Sequence, residues 1–185
     1  MQENFYIPET HPYTISTEMY REGYRAYQKR FVLWKNRILQ LILLLLSIDF
    51  IVSAVRDSSN TLAYVLLMIC LAGIFILWYT PNKARVKIID AVAENEDIYY
   101  SCALQDNVIA IRTIPQSDDE EILQPTILNY DDDLFVEEKD EFFLVCSGNR
   151  MIYILPKKAF YDEQVLSMRE HFSDELGKNF KSELN

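Results

Sequence analysis

The stretch "LQLILLLLSIDFIVSAVR", residues Leu39–Arg56, holds one carboxylate, Asp49, in a run otherwise suited to leave water. Asp49 lies in an eighteen-residue apolar run, Ile38–Val55. A second run of nineteen residues, Thr61–Tyr79, has no charge. At about 1.5 Å per residue, each run forms a helix about as long as a bilayer's hydrocarbon core is thick. Since only Arg56–Asn60 lies between them, we predict two transmembrane helices, 38–55 and 61–79, in an antiparallel hairpin.

Two other interpretations of these runs are less favoured. A hairpin buried in a soluble core would have to hide both runs in a chain of 185 residues. A cleaved signal peptide would start earlier, end at small residues and lack a second apolar run directly after it. Trp34, Trp78 and Tyr79 lie at the run ends, where aromatic side chains meet the membrane interface.

Basic residues outside the two runs predict their orientation. Only Arg56 lies in the turn, whereas nine basic residues lie in the flanking segments, 21–37 before the first run and 83–87 after the second. These are Arg21, Arg25, Lys29, Arg30, Lys35, Arg37, Lys83, Arg85 and Lys87. The excess of Lys and Arg on cytoplasmic segments predicts a multi-pass protein with both termini in the cytoplasm.

The charge of the chain excludes one class of partner. The net charge is −10, and residues 98–185 carry eighteen acidic against eight basic residues. Nucleic-acid backbones need a cationic surface, so we expect no nucleic-acid partner. Cys70, Cys102 and Cys146 lack metal-site spacing and are expected to be reduced thiols, with Cys102 a small core residue.

The amino-terminal segment 1–37 predicts a short strand in "NFYIPE", which we expect to pair with the sheet, and a helix from Ser16 or Thr17 that runs into the first span. An aromatic stripe on that helix comprises Tyr20, Tyr24, Tyr27, Phe31 and Trp34. The stripe either packs against the cytosolic domain or its partner helix, or the arm lies in the headgroup layer. In the second case Arg21, Arg25 and Lys29 contact anionic lipid.

The carboxy-terminal half predicts a small strand-rich domain, residues 98–176, after a juxtamembrane helix over 81–97 that is either short or a continuation of the second apolar helix. "IYYSCALQ" and "VIAIRTI" flank the turn pair "DN", and "DEFFLVCSGNRMIYILP" is the clearest hairpin. "EILQPTILNY" is a weaker strand, at an edge because of Pro125. An amphipathic helix with Asp162 as a plausible cap follows, and then a tail, 177–185. We predict an α+β protein whose small antiparallel sheet or open barrel is capped by that helix.

The segment "ILNYDDDLFVEEKDEFFLVCSGNRMIYILPKKAFYDEQ" resembles the YcxB family of bacterial membrane proteins. The order of features carries the likeness: Tyr130 with Asp131 and Asp132, an acidic stretch, "FFLV", a turn, and "YILPKKAF" at Tyr153–Phe160. The resemblance implies two transmembrane helices, a carboxy-terminal domain like a pleckstrin-homology (PH) fold, and a bacterial plasma membrane. It implies no activity.

The "ILPKKAF" box allows two interpretations. In the first, Pro156 ends a strand, Lys157 and Lys158 are solvated, and Phe160 fills the open end of the barrel. In the second, Lys157 and Lys158 contact membrane phosphates or an acidic partner. The acidic runs Asp118–Glu121 and Asp131–Asp133 argue against a phosphoinositide-like site in this domain.

Asp49 needs an explanation because a charge in a transmembrane helix is costly. It can pair with Arg56 or with a hydroxyl of Thr61 or Tyr64, or across a dimer. It can also meet water from outside, or sense an ion, a proton or a ligand. A single acid in two helices is too little for a transport path.

No catalytic motif is found in the sequence. It has no GxSxG, HExxH or Gly-rich phosphate loop, and His11 and His171 lie far apart. We therefore predict no enzyme, cofactor or metal site. The first hypothesis is a membrane-tethered cytosolic interaction or regulatory domain. The alternatives are an assembly component whose hairpin oligomerises and a module that senses lipid headgroups. The expected partners are the bilayer and either a protein partner or a second copy of the chain.

Overall fold

The computed structural model describes residues 5–94, 96–116, 123–131, 133–148 and 151–183. The chain divides into two compact units. The first, called here the hairpin unit, comprises Arg25–Asp90. The second, the strand domain, combines Met1–Tyr24 with Ala91–Asn185. Both ends of the sequence therefore contribute to one domain, with the hairpin unit as an insertion between them.

The helices are longer than the apolar runs that predict them. Helix α1 (Thr17–Tyr27), a π-helical segment (Gln28–Leu33) and helix α2 (Trp34–Arg56) follow one another without a break. The amino-terminal arm therefore continues directly into the helix that contains the first apolar run, as predicted. Helix α3 (Thr61–Ala93) continues through Pro81, so the predicted helices 61–79 and 81–97 are one helix as far as Ala93.

The turn between α2 and α3 is held by its own polar side chains. The Asp57 carboxylate accepts hydrogen bonds from the Ser59 backbone N–H at 3.0 Å and the Ser59 hydroxyl at 2.6 Å. The Asn60 side chain accepts from the N–H of Ala63 at 3.2 Å, which caps the start of α3. Asp, Ser and Asn are suited to such turns because their short side chains bond to nearby backbone. The predicted tight turn is therefore confirmed.

The apolar side chains of the hairpin unit face outward. Both helical stretches are long and apolar enough to cross a membrane, and in each only 11% of the most apolar eighteen-residue window is buried. Leu45 and Ile69, for example, are 59% and 60% exposed. A core helix of a soluble protein would be mostly buried, so these helices are not the core of a soluble domain in this chain.

The first sheet of the strand domain joins the amino-terminal strand to strands that follow the hairpin unit in the sequence. Its strands are β1 (Tyr6–Ile7), β2 (Tyr99–Gln105), β3 (Val108–Ile114) and β4 (Thr126–Asn129). They are antiparallel in the order β1-β2-β3-β4. Asp106, with φ of 44°, turns the chain between β2 and β3. The predicted amino-terminal strand, the "DN" hairpin and the edge strand after Pro125 are all confirmed.

The second sheet contains the clearest predicted hairpin and two strands that were not predicted. Its order is β7-β6-β5-β8, with β5 at Leu134–Glu138, β6 at Phe142–Ser147, β7 at Met151–Pro156 and β8 at Phe180–Ser182. The hairpin of β6 and β7 is confirmed, as is the end of β7 at Pro156. The predicted tail 177–185 is wrong, because β8 pairs in parallel with β5. Without β8, the backbone of β5 would lack a partner on that side.

Strand β5 lies in the acidic stretch that precedes "FFLV", for which the sequence predicted no strand. All five residues of β5 are buried, including Glu137 and Glu138, and Lys139 after it is also buried. Charged residues are almost never fully buried unless they are paired. From the sequence alone, a run with three charged residues is therefore expected at the surface, because the residues that pair with them are not evident.

Helix α4 (Asp162–Leu176) closes the core of the strand domain. Met168 and Phe172 are fully buried, and the Phe172 ring meets that of Phe143 edge-on at 5.7 Å. Tyr161, rather than the predicted Asp162, precedes the helix, and its N–H donates to the Gln164 side chain at 3.0 Å.

The α+β class is confirmed, with two four-stranded sheets where the sequence predicted one small sheet or open barrel.

Candidate functional site

A cavity of about 430 Å³ opens at the basic end of the hairpin unit. Residues of the π-helical segment and its flanks form most of its wall, and α3 contributes one residue. The lining residues are Arg25, Gln28, Lys29, Leu33, Trp34, Arg37 and Arg85. Four of them are cationic, so this cavity, called here the basic cavity, is the strongest candidate site among the described residues.

The π-helical segment brings the basic side chains to one side. In a regular α-helix, residues twelve apart such as Arg25 and Arg37 point about 120° away from each other. Between them lie the six residues Gln28–Leu33, whose wider turns have more than 3.6 residues each. The wider turns reduce the angle between Arg25 and Arg37 around the helix axis, so Arg25, Lys29 and Arg37 line one cavity. Single π-helical turns are frequently found at functional sites.

Pro81 explains how α3 is held against the helical segment that forms most of the wall of the basic cavity. A proline inside a helix has no N–H, so the carbonyl four residues earlier, that of Leu77, loses its helical donor. The side chain of Asn36 donates to this carbonyl at 3.2 Å. A side chain of the first helical stretch thus supplies the hydrogen bond that Pro81 removes.

Gln28 makes a second bond between the helices. It is 3% exposed, and its side-chain N–H donates to the Pro81 carbonyl at 2.8 Å. A buried amide without a partner is unfavourable, so this bond fixes where the π-helical segment meets α3. Gln28 and Asn36 together set the register of the two helices beside the basic cavity.

The basic cavity has no acidic side chain in its lining. None of its four cations forms an ion pair with a described carboxylate; Arg85 donates to the amide oxygen of Asn82 at 3.3 Å. Like charges held close together repel one another unless an anion lies between them. The arrangement is therefore suited to an anionic ligand.

The predicted lipid-contact residues are only partly brought together. Arg25 and Lys29 line the basic cavity, whereas Arg21 belongs to the strand domain and lies 4.0 Å from Glu18. Arg37 and Arg85 were counted for orientation but not assigned to a site. Their signal was present in the sequence, because both flank the apolar runs on the same side of the predicted membrane.

The lysines of the "ILPKKAF" box have different surroundings. Lys157 lies 2.8 Å from the Glu138 carboxylate and 5.3 Å from the centre of the Phe143 ring. Its side chain is 15% exposed, so it is an internal partner of Glu138 rather than a solvated or lipid-facing lysine. Lys158 is exposed, and Phe160 is buried in the core as predicted.

Glu138 is the centre of a buried ionic cluster in the strand domain. Its carboxylate is fully buried and receives Nε of Arg169 at 2.8 Å and Nη2 of the same residue at 2.6 Å. Lys157 donates at 2.8 Å and Ser182 at 2.9 Å. This fork from Arg169 with two further donors occupies the carboxylate, which leaves no oxygen free for a substrate. Sequence reasoning missed the cluster because its members are far apart along the chain.

A neighbouring cluster ties the carboxy-terminal strand to β5. Lys139 pairs with Glu137 at 2.8 Å and with Glu183, and Lys181 lies 3.0 Å from Glu183. The N–H of Glu183 also donates to the Glu138 carbonyl at 3.2 Å. Charges and backbone together hold β8 in place.

The pKa values follow from these contacts. Burial acts to raise the pKa of Glu138, but the hydrogen bonds from Arg169, Lys157 and Ser182 outweigh it and hold the pKa below its usual value. Burial acts to lower the pKa of Lys139, and its bonds to Glu137 and Glu183 raise it instead. Both groups are therefore charged at neutral pH.

Asp49 is exposed on α2. It forms no hydrogen bond or ion pair with any residue that the structure describes, so the predicted pairing with Arg56 or with Thr61 or Tyr64 is not observed. The interpretations that remain for Asp49 are a contact across a dimer, access of water, and sensing.

The other candidate groups form no reactive site among the described residues. No cluster of three metal-binding side chains is found there, and the side chains of Cys70, Cys102 and Cys146 are buried. Burial raises the pKa of Cys102, so its thiol stays protonated. His171 packs in the strand domain, with its ring 3.7 Å from that of Phe5. The run Asp118–Glu121 lies outside the described residues, as does Asp132.

Comparison of the chain with protein-family models, with curated proteins and with solved structures finds no match. The resemblance to the YcxB family therefore stays a prediction that depends on the order of features in residues 127–164.

Proposed function

We propose that the chain is a multi-pass protein of a bacterial plasma membrane that tethers a cytosolic interaction domain of a regulatory kind. The observation that carries the proposal is the outward-facing apolar surface of α2 and α3. Exposed apolar areas of this size are found in soluble monomers only where something covers them. A bilayer covers both helices at once.

The strand domain supports the second half of the proposal. Its buried charged groups are paired with each other, and the carboxylate of Glu138 is fully hydrogen-bonded. A domain of this kind offers its surface and its sheet edges to a partner, with no catalytic chemistry of its own. We propose that it is a YcxB-like, PH-like domain, and its two sheets closed by a carboxy-terminal helix support this proposal.

Two experiments test the membrane half of the proposal. Alkaline carbonate extraction should leave the full chain in the membrane pellet. A phosphatase reporter, active only outside the cytoplasm, should be active when inserted at Asn60 and inactive when fused after Asn185. Release of the chain into the soluble fraction, or export of the carboxy-terminal fusion, would refute the tether.

A proximity-labelling experiment tests the interaction half. A biotin ligase fused after Asn185 should label a small, reproducible set of cytosolic or membrane proteins. The matched control is the same fusion on a chain with the hairpin residues 38–79 only, which should label a different set. Identical sets for both fusions would mean that the strand domain recruits nothing.

Asp49 supports a second candidate function, an assembly component whose hairpin oligomerises. An exposed carboxyl group on an apolar helix is unfavourable in lipid, and a second copy of the chain can supply its hydrogen-bond partner. Cross-linking in native membranes should then yield dimers that Asp49→Leu reduces and Asp57→Asn, in the turn, leaves unchanged. Monomers alone, or dimers unaffected by Asp49→Leu, would remove this candidate.

A further inference from the structure

We infer that the basic cavity binds the headgroup of an anionic phospholipid, and that it prefers a lipid with two phosphodiesters, such as a diphosphatidylglycerol, over one with a single phosphate. This inference rests on the proposed function, since it requires the hairpin unit to lie in a membrane. It assigns a ligand class to Arg25, Lys29, Arg37 and Arg85.

Charge is the first argument. The lining has four cations and no carboxylate, and none of the four is paired with a described acid. Arginine presents a planar fork that matches two phosphate oxygens, and three of the four cations are arginines. A single phosphodiester carries one negative charge, whereas two phosphodiesters on one lipid neutralise half of the cationic lining.

Size is the second argument. The volume is about 430 Å³, and a water molecule occupies about 30 Å³ in the liquid. The basic cavity therefore has room for a group several times larger than one phosphate. Two phosphates joined through a glycerol are such a group.

The apolar part of the lining favours a lipid over a soluble phosphate. Leu33 and Trp34 share the wall with the cations, and Trp34 is 64% exposed. An indole at this level is typical of the membrane interface, where its ring meets glycerol and headgroup together. The exposed aliphatic residues of α2 begin at Ile38, directly after Arg37, and offer a surface for the acyl chains of the same molecule.

Trp34 also supplies the probe. The chain has two tryptophans, so Trp78→Phe leaves Trp34 as the sole tryptophan, whose fluorescence can be excited selectively over that of the tyrosines. This chain is placed in nanodiscs of zwitterionic lipid with increasing fractions of a diphosphatidylglycerol that carries brominated acyl chains. We expect saturable quenching of Trp34, with a midpoint at a lower total lipid charge than for brominated phosphatidylglycerol.

The decisive variant removes two cations from the basic cavity. Lys29→Gln with Arg37→Gln should raise the quenching midpoint by at least about tenfold, because one charge-assisted hydrogen bond alone accounts for such a factor. The matched control, Lys35→Gln with Lys87→Gln, removes two exposed basic residues outside the lining and should move the midpoint by less than about threefold.

Three outcomes overturn the inference. Equal shifts in the two variants mean that diffuse surface charge attracts the lipid, with no site. Equal midpoints for the two lipids at matched charge remove the preference for two phosphodiesters. Inorganic pyrophosphate that abolishes quenching at micromolar concentration shows a soluble ligand instead of a lipid. Carbonate extraction of each variant separates these failures from failure of the membrane tether, since a chain that stays in the pellet remains a membrane protein.

Discussion

The hairpin unit and the strand domain differ in where their apolar side chains lie. In the hairpin unit, apolar residues such as Leu45 face outward, and the amides of Gln28 and Asn36 bond carbonyls between the helices. In the strand domain, apolar residues such as Phe143 are inside, and the charges of Glu138 and Lys139 are inside with them. The first arrangement suits an apolar surrounding and the second suits water.

If the hairpin unit lies in a bilayer, as the proposed function requires, different forces hold the two units together. Helices in lipid gain little from burying apolar area, so a few hydrogen bonds and close packing decide their register. A domain in water gains mainly from apolar burial, and a buried ion pair adds little net stability while both partners remain. Removal of one partner alone destabilises the domain strongly, since it leaves a buried charge without a counter-charge. Four substitutions, taken here from the largest expected effect to the smallest, test this contrast.

Glu138→Gln should have the largest effect. It removes the charge that Lys157 and Arg169 share and leaves both cations facing a neutral amide. Loss of one partner of a buried ion pair destabilises a protein by about 3–5 kcal/mol. Hydrogen–deuterium exchange of peptides from β5 and β6 should therefore speed up strongly, while exchange in α2 stays unchanged.

The control for this variant is Asp174→Asn, which removes an exposed carboxylate from α4. Its expected effect is within about 0.5 kcal/mol. If the two variants exchange alike, the ionic cluster is not what holds β5 in place.

Gly23→Leu should have the next largest effect. A Cβ atom at Gly23 would lie 3.2 Å from the side chains of both Ile154 and Leu144, so α1 approaches the second sheet through its glycine. Overpacking of this kind destabilises by about 1–3 kcal/mol. Exchange in residues 17–24 should rise, whereas Glu22→Leu, at an exposed neighbouring position, should leave it unchanged. Unaltered exchange in Gly23→Leu would show that α1 does not depend on this contact.

Asn36→Ala tests the hairpin unit. It leaves the Leu77 carbonyl without a donor, because Pro81 has no N–H to offer. Hydrogen bonds between membrane helices are worth about 0.6–2 kcal/mol, so the thermal midpoint in nanodiscs, followed by tryptophan fluorescence, should fall by a few degrees. Asn82→Ala is the control, since the Trp78 carbonyl keeps its helical N–H. Equal midpoints in both would mean that the Asn36 bond does not set the register.

The features that sequence reasoning could find are those coded by neighbouring residues. The two apolar runs, the "RDSSN" turn, the "DN" hairpin and the hairpin of β6 and β7 each depend on periodicity and turn residues within a short stretch. All of these appear in the structure. Cys102 as a core residue follows from alternation in β2 in the same way.

The features that it missed depend on contacts between distant residues. Glu138 looks like a surface acid until Lys157, Arg169 and Ser182 are seen around it. The strand β8 has three residues, too few for a pattern, and exists because β5 offers it an edge. The basic cavity depends on a π-helical segment, which no periodicity in the sequence predicts. Its cations could be listed from the sequence, but their convergence could not.

Glu183→Gln should have the smallest effect on the stability of the strand domain, and this effect should depend on pH. Hydrogen bonds from Lys139 and Lys181 lower the pKa of Glu183 to about 2, so its contribution is present above the usual value of 4.5 and is lost as the pH falls towards 2. Glu138, whose pKa is also lowered, loses its contribution in the same direction. Since Glu183 is partly exposed, its pairs are worth about 0.2–1 kcal/mol at neutral pH.

Hydrogen–deuterium exchange of β5 peptides, measured from pH 7 down to pH 3 and corrected for the intrinsic rate, checks this direction of the pH dependence. The unaltered chain should lose protection steadily below about pH 4.5. Glu183→Gln should begin from slightly lower protection at pH 7 and lose less of it in acid, because one of the two titrating carboxylates is gone. Glu138→Gln should show the same flattening from a much lower start. A variant curve that runs parallel to that of the unaltered chain over the whole range would mean that β8 is held by its backbone hydrogen bonds, with its charges contributing nothing.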